Sequence, residues 1–242
     1  MDELQQIKSH RWFYEFPLPD GTKTSSYLPP HIAKIHTTRE KALREYITAG
    51  GFSQNTALDV SCHEGFFSQI LGEYFKTVVG IDKNEGSLDL AKKMGSFLKK
   101  DHVSFRLCPV EEAPPSLKSD FVLCFGLLYH IENPMQVLRG LSELTGKALC
   151  IETQILPFSM ACRVEDGYYD NQRDLKGLFG LCPDYPSSKE GGLTEYALVP
   201  SQDALLYMLG ELGFSSINVY QPAQDDYEQF VRGSRIILLA ER

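Results

Sequence analysis

The sequence contains no C-x-x-C pair among its six cysteines (Cys62, Cys108, Cys124, Cys150, Cys162 and Cys182), which argues against a metal site. Cys124 and Cys150 fall inside strand-like apolar runs, as reduced thiols acting as small hydrophobes in a cytoplasmic protein do. Long hydrophobic runs are also missing. The longest, Phe121–Tyr129 and Ile236–Ala240, fall far short of the roughly 20 residues a membrane-spanning helix needs. The opening Met-Asp-Glu-Leu-Gln-Gln has no basic stretch followed by an apolar one, so no secretory signal is expected. Positive charge is in deficit. With 24 Lys+Arg against 32 Asp+Glu, the net charge of −8 speaks against a broad, non-specific nucleic-acid binder but leaves room for a local basic patch.

What is present is ordinary for a globular chain. Of 242 residues, 43% are hydrophobic, too much apolar surface for disorder to be the main state. The length suits one large α/β domain, or one domain with a small appendage. Residues 1–50 read as an N-terminal cap segment, with a hairpin over Trp12–Leu28 around the turn signal Pro19-Asp20-Gly21. A helix start at Thr37-Thr38-Arg39-Glu40 follows. Residues 51–242 read as the main domain. Strands at 57–60, 77–81, 103–107, 120–125 and 148–152 alternate with helices at 66–75, 87–98 and from Asn133-Pro134 to about Leu144. That alternation predicts a doubly wound, Rossmann-like, mostly parallel sheet. Residues of about 153–199, rich in Pro, Gly, Asp and Tyr, read as an insertion without clear periodicity. A helix from Ser201 to about Leu212 precedes two strands, 217–220 and 235–240, whose short connection makes the last one antiparallel.

In such a sheet ligands bind beyond the carboxyl ends of the strands. Those ends carry Asp59-Val-Ser61-Cys-His63-Glu-Gly65, then Asp82, then Pro109-Val110-Glu111, then Gly126-Leu-Leu-Tyr129-His130. Over residues 57–155, and more loosely over 200–241, this pattern resembles the class I S-adenosylmethionine (SAM)-dependent methyltransferases. The family's first motif is an acid followed by alternating glycines. Asp59 and Gly65 match it, while Ser61 and His63 replace two glycines. The resemblance implies a seven-stranded sheet that binds SAM. Asp59, Ser61 and Gly65 would cradle the methionine end of the cofactor. Asp82, 23 positions after Asp59, would hold the ribose, and Val110 and Glu111 would border the adenine. Phe125 and Tyr129 would line the path to the methyl group. A dinucleotide-dependent oxidoreductase would need G-x-G-x-x-G after the first strand, where this chain has Ser-Cys-His-Glu-Gly.

The stretch Asp120–Pro134 is similar to a subgroup with a Gly-x-Leu-Tyr-His signature that includes tRNA wobble-uridine carboxymethyltransferases. Trp12–Thr22, Glu64–Ser68 and Arg235–Ala240 share in that likeness. In that branch Tyr129 and Arg235 resemble a clamp for the extra carboxylate of carboxy-SAM, and Arg suits a carboxylate well. His130 beside the pocket could act as a general base, or be a structural histidine near a helix start. Methyl transfer to an already activated carbon can run on orientation alone.

The expected function is methyl transfer from SAM, with S-adenosylhomocysteine as product, to a small-molecule acceptor. Modification of a tRNA wobble uridine is an alternative. A catalytically inactive SAM-fold binding protein is another, since two motif glycines are substituted. Trp12, Tyr14, His36, Tyr168 and Tyr169 are aromatic candidates for holding a flat acceptor. Arg39, Lys41 and Arg44 form a small basic cluster that either meets a phosphate or carboxylate or, as such clusters usually do, makes a solvated helix face.

Overall fold

A computed structural model describes residues 2–52, 55–158, 160, 162–166, 171–184 and 195–242. Its main sheet has seven strands: β1 (Thr56–Val60), β2 (Thr77–Asp82), β3 (Val103–Leu107), β4 (Ser119–Phe125), β5 (Thr145–Gln154), β6 (Ser216–Val219) and β7 (Arg235–Glu241). They lie in the order β6-β7-β5-β4-β1-β2-β3. Neighbours from β5 to β3 are parallel. The last strand, β7, is antiparallel to both β5 and β6.

The strand sequences explain the order. In β4 six of seven residues are buried, as suits a strand covered on both faces. The outer strand β3 buries only Val103 and exposes Leu107. Helices α3 (Phe66–Leu71), α4 (Glu85–Phe97), α5 (Pro134–Leu144) and α6 (Gln202–Glu211) carry the chain between strands. Local chemistry starts them. Asn84 caps α4 by accepting from Ser87 N, Asn133 caps α5 ahead of Pro134, and Ser201 caps α6. One apolar core fills each face of the sheet. Phe67, Phe121 and Ile237 belong to one; Leu58, Val122 and Leu238 belong to the other.

The cap departs from expectation. A helix α1 (Glu3–Ser9), capped by Asp2, precedes it. The expected hairpin is confined to Phe16–Thr24, where Leu18 N donates to Thr22 O and Thr24 N to Phe16 O; outside it, Arg11–Trp12 pairs in parallel with Ser25–Ser26. The chain does reverse at Asp20, with Pro17 bridging Lys23 in antiparallel sense. Thr24 then breaks the ladder. Its hydroxyl accepts from Phe16 N and donates to Tyr14 O, so the returning strand swings round to run alongside its start. Helix α2 (Pro30–Gly50) begins well before Thr37, because Pro30 sits ready-set in the first turn. Thr38, expected at a helix start, is instead buried within α2, and its Oγ1 accepts from Tyr227 N. A last short helix, α7 (Glu228–Val231), follows that contact.

The insertion is not structureless. Arg163–Asp166 pairs with Asn171–Asp174, and Phe179–Pro183 pairs with Tyr196–Pro200, both antiparallel. Among the described residues no helix is long and apolar enough to cross a membrane.

Candidate active site

The order of the sheet reverses between β1 and β4, so a crevice opens beyond their carboxyl ends. There lies a cavity of about 320 Å³, within the range of small-molecule sites. Val60, Ser61, Asp82, Val110, Glu111 and His130 line it, together with Lys83, Cys108, Pro109 and Leu127 through Asn133 apart from Leu128 and Tyr129. Sequence positions from four strand ends are thus brought together.

The loop after β1 has an unusual backbone. Ser61, His63 and Gly65 all have positive φ, at 63°, 51° and 78°. These are the alternating positions where the motif expects glycine. Ser61 and His63 keep the glycine-like conformation without being glycine. At Gly65 a Cβ would stand 2.7 Å from the Phe105 ring, so only glycine fits. The loop is pinned from β2: Asp82 Oδ2 accepts from His63 N at 2.8 Å, and Oδ1 accepts from Asn84 N at 2.9 Å. Next to it, Glu64 Oε2 accepts from Phe13 N at 2.8 Å, tying the cap to the loop.

Asp59 stands behind the loop and does not line the cavity. It is buried, accepts from Ser68 Oγ at 2.6 Å, and has its pKa pushed up to about 7, by burial first and by neighbouring Asp82 next. Phe125 is likewise buried, edge-on to Phe67 at 5.1 Å. Of the acceptor candidates, Trp12 is fully buried and donates to Ile7 O. Tyr14 stacks on Phe66 at 4.9 Å. His36 packs on Tyr14 at 4.5 Å, with neither ring nitrogen hydrogen-bonded among the described residues, and burial holds its pKa well below the usual value. The three belong to an interior aromatic cluster. Tyr168 and Tyr169 lie outside the described residues.

The basic helix face of α2 needs correcting. Arg39 is not solvated: it is buried and paired with Glu152, which also accepts from Arg235 Nη1 at 2.6 Å. Arg39 points inward because β5 and β7 place a carboxylate under α2. Lys41 reaches Asp226 at 3.4 Å, and Arg44 bridges Glu40 and Glu73. Burial alone would raise the Glu152 pKa, but the Arg235 and Arg39 guanidiniums outweigh it and hold the carboxyl below its usual range. Arg235 lies 4.6 Å over the Tyr129 ring, and its Nε donates to Gln229. Two guanidiniums share one carboxylate, and no second carboxylate pairs with either among the described residues. Glu152 and Asp184, which meets His130, were not singled out in the sequence. No local pattern marks either one.

Comparison with known proteins agrees with this geometry. A family model described as a methyltransferase domain matches residues 52–164. A tRNA U34 carboxymethyltransferase of Actinobacillus succinogenes is 28% identical over 83% of this chain and 59% of its own length. A ubiquinone biosynthesis O-methyltransferase of Bordetella parapertussis is 37% identical over 40% of this chain and 41% of its own. The chain thus spans less than two thirds of the length of both relatives. In fold, the N-terminal domain of EvdMO1 with SAH bound superposes with a TM-score of 0.74 at 17% identity, covering 100% of this chain and 97% of that one. The chain is thus similar to a methyltransferase domain over just under half its length, and it shares its fold with proteins crystallised with SAM or S-adenosylhomocysteine, which points to SAM as the cofactor.

The residues present fit such a cofactor. Asp82 borders the cavity with a carboxylate that can still accept from hydroxyls. At Gly126, whose φ is 76°, a Cβ would lie 3.3 Å from Arg39 Nη2 and 3.6 Å from Tyr129 Oη, so the backbone there runs close against both groups.

Proposed function

We propose that this chain transfers a methyl group from SAM to a small-molecule acceptor. When bound, SAM supplies a methyl carbon already activated by a sulfonium. Asp82 accepts hydrogen bonds from the ribose hydroxyls, while Val110 and Glu111 border the adenine. The Ser61–Gly65 backbone faces the methionine end, with Arg39 and Tyr129 offering donors beside Gly126. The observation that carries this reading is the left-handed turn through Ser61, His63 and Gly65, fastened to Asp82 at the mouth of the cavity. The net charge of −8 favours a small acceptor over RNA.

Isothermal titration with SAM and S-adenosylhomocysteine tests the reading. Binding to the wild type and its loss in Asp82→Ala support it. A protein that binds neither is a methyltransferase fold used for something else.

One observation favours a second acceptor, a tRNA wobble uridine modified with carboxy-SAM. Arg235 and Tyr129 sit in contact, and the Arg39–Glu152–Arg235 group holds one positive charge more than negative. That is the electrostatic setting a further carboxylate on the cofactor would need. Native mass spectrometry of the purified protein separates the two readings, because carboxy-SAM and SAM differ in mass.

A further inference from the structure

His130 lies on the turn Leu128–His130 that follows β4, and Asp184 directly follows the inserted strand Phe179–Pro183. The two residues are 54 positions apart, yet His130 Nδ1 stands 3.2 Å from both Asp184 carboxylate oxygens. The ribbon is anchored at this point. Leu198 N donates to Ile131 O at 3.1 Å, and Asp184 N to Glu195 O at 2.9 Å. His130 also lines the cavity that Asp82 borders. Its ring makes no other hydrogen bond among the described residues, which leaves Nε2 for a ligand.

A carboxylate held at Nδ1 selects the tautomer with the proton on Nδ1 and the lone pair on Nε2. That form is a base aimed away from its orienting acid. Burial, with Arg235 and Lys83 nearby, lowers the His130 pKa against the opposing pull of Asp184, so the ring is neutral at pH 7. Glu132 and Tyr129 complete the ionisable groups next to it in the chain. Acceptors differ in their need for such a base. An amine or thiolate attacks with a lone pair it already has. A hydroxyl is a poor nucleophile near pH 7 until its proton is drawn off.

Resting on the methyl-transfer reading above, we propose that His130, positioned by Asp184, is the general base that takes the proton of a hydroxyl acceptor. The acceptor oxygen forms a bond to the methyl carbon, and the carbon–sulfur bond breaks with its electron pair going to sulfur. The hydroxyl proton goes to Nε2 and then to solvent. Asp184 steadies the imidazolium while it exists. The products are a methyl ether and S-adenosylhomocysteine.

Two measurements test this. Histidine side-chain nitrogen NMR across pH reads the tautomer without turnover. The wild type shows His130 protonated at Nδ1, and Asp184→Asn lowers its pKa and mixes the tautomers. A ring protonated at Nε2, or one indifferent to Asp184→Asn, overturns the proposal. The second measurement offers phenol, aniline and thiophenol, alike in shape, with SAM, and reads methylated product by mass spectrometry. Phenol is methylated by the wild type and at least 100-fold more slowly by His130→Gln, while S-adenosylhomocysteine still binds. Undiminished phenol methylation in His130→Gln, or no methylated phenol at all, overturns it. If neither SAM nor S-adenosylhomocysteine binds the wild type, the methyl-transfer reading fails as well. If they bind and the histidine tests fail, only the base assignment falls.

Discussion

The Asp82 carboxylate accepts the backbone N–H of His63 at 2.8 Å, so the residue placed to hold the ribose also holds the loop that faces the methionine end. Its other oxygen accepts from Asn84 N. Both oxygens are thus engaged by backbone donors, and an amide has only one oxygen to offer. Asp82→Asn should therefore disturb the loop and the cofactor together. Losing a charged hydrogen bond of about 1.5–3 kcal/mol weakens S-adenosylhomocysteine binding by roughly 10- to 100-fold. Isothermal titration measures it, and unchanged affinity would show that Asp82 does not meet the cofactor.

The strained turn makes a second prediction. Ser61 and His63 are left-handed at φ 63° and 51°. That conformation costs an L-residue about 1–2 kcal/mol, while glycine's extra freedom in the unfolded chain gives back about 0.5–1 kcal/mol. Ser61→Gly and His63→Gly should each raise stability by up to about 1 kcal/mol. Gly65→Ala should do the reverse and exceed 2 kcal/mol, because its φ is 78° and its new Cβ meets the Phe105 ring at 2.7 Å. Urea unfolding of the three variants gives the comparison.

The buried ion group predicts an order among mutants. Glu152 is fully buried and neutralises one of two guanidiniums. Glu152→Gln leaves both arginines without a counter-charge and should cost about 3–5 kcal/mol. Arg39→Met leaves a balanced Glu152–Arg235 pair and should cost distinctly less, since it removes a charge whose Nε is already buried without a partner among the described residues. Equal losses in thermal or urea unfolding would mean that the excess positive charge carries no penalty.

How far the sequence could be read follows from the range of the interactions. The parallel core was legible because β4 is a continuous apolar run, and Asp82 could be picked out by its place at a strand end. The antiparallel β7 followed from the short link after β6. Arg39 was misread because its partner Glu152 is 113 positions away, and only the pairing of β5 with β7 brings the carboxylate beneath α2. Asp184 was invisible for the same reason: it sits in a stretch with no periodicity, 54 positions from His130. The cap's hairpin was legible at its turn but not beyond Thr24, whose side chain takes over a rung of the ladder that the pattern assigned to backbone.

Glu64 ties the cap to the motif loop through a carboxylate that titrates near neutrality. It accepts from Phe13 N, and its pKa is pushed up to about 7 by burial, against the pull of the backbone N–H groups of Phe13 and Tyr14. A carboxyl with a raised native pKa binds more protons folded than unfolded between its unfolded value of about 4.3 and about 7. Its contribution to stability is therefore whole below the unfolded pKa and is lost as pH rises through about 7. Asp59, also pushed to about 7, acts in the same direction. Glu64→Gln removes the titration while keeping an oxygen to accept from Phe13 N. Thermal melts from pH 5 to pH 8 should show the wild type losing of order 1–3 kcal/mol more than Glu64→Gln over that span. Parallel curves for the two proteins would show that Glu64 is ionised throughout and that the cap is fastened by a permanent charge.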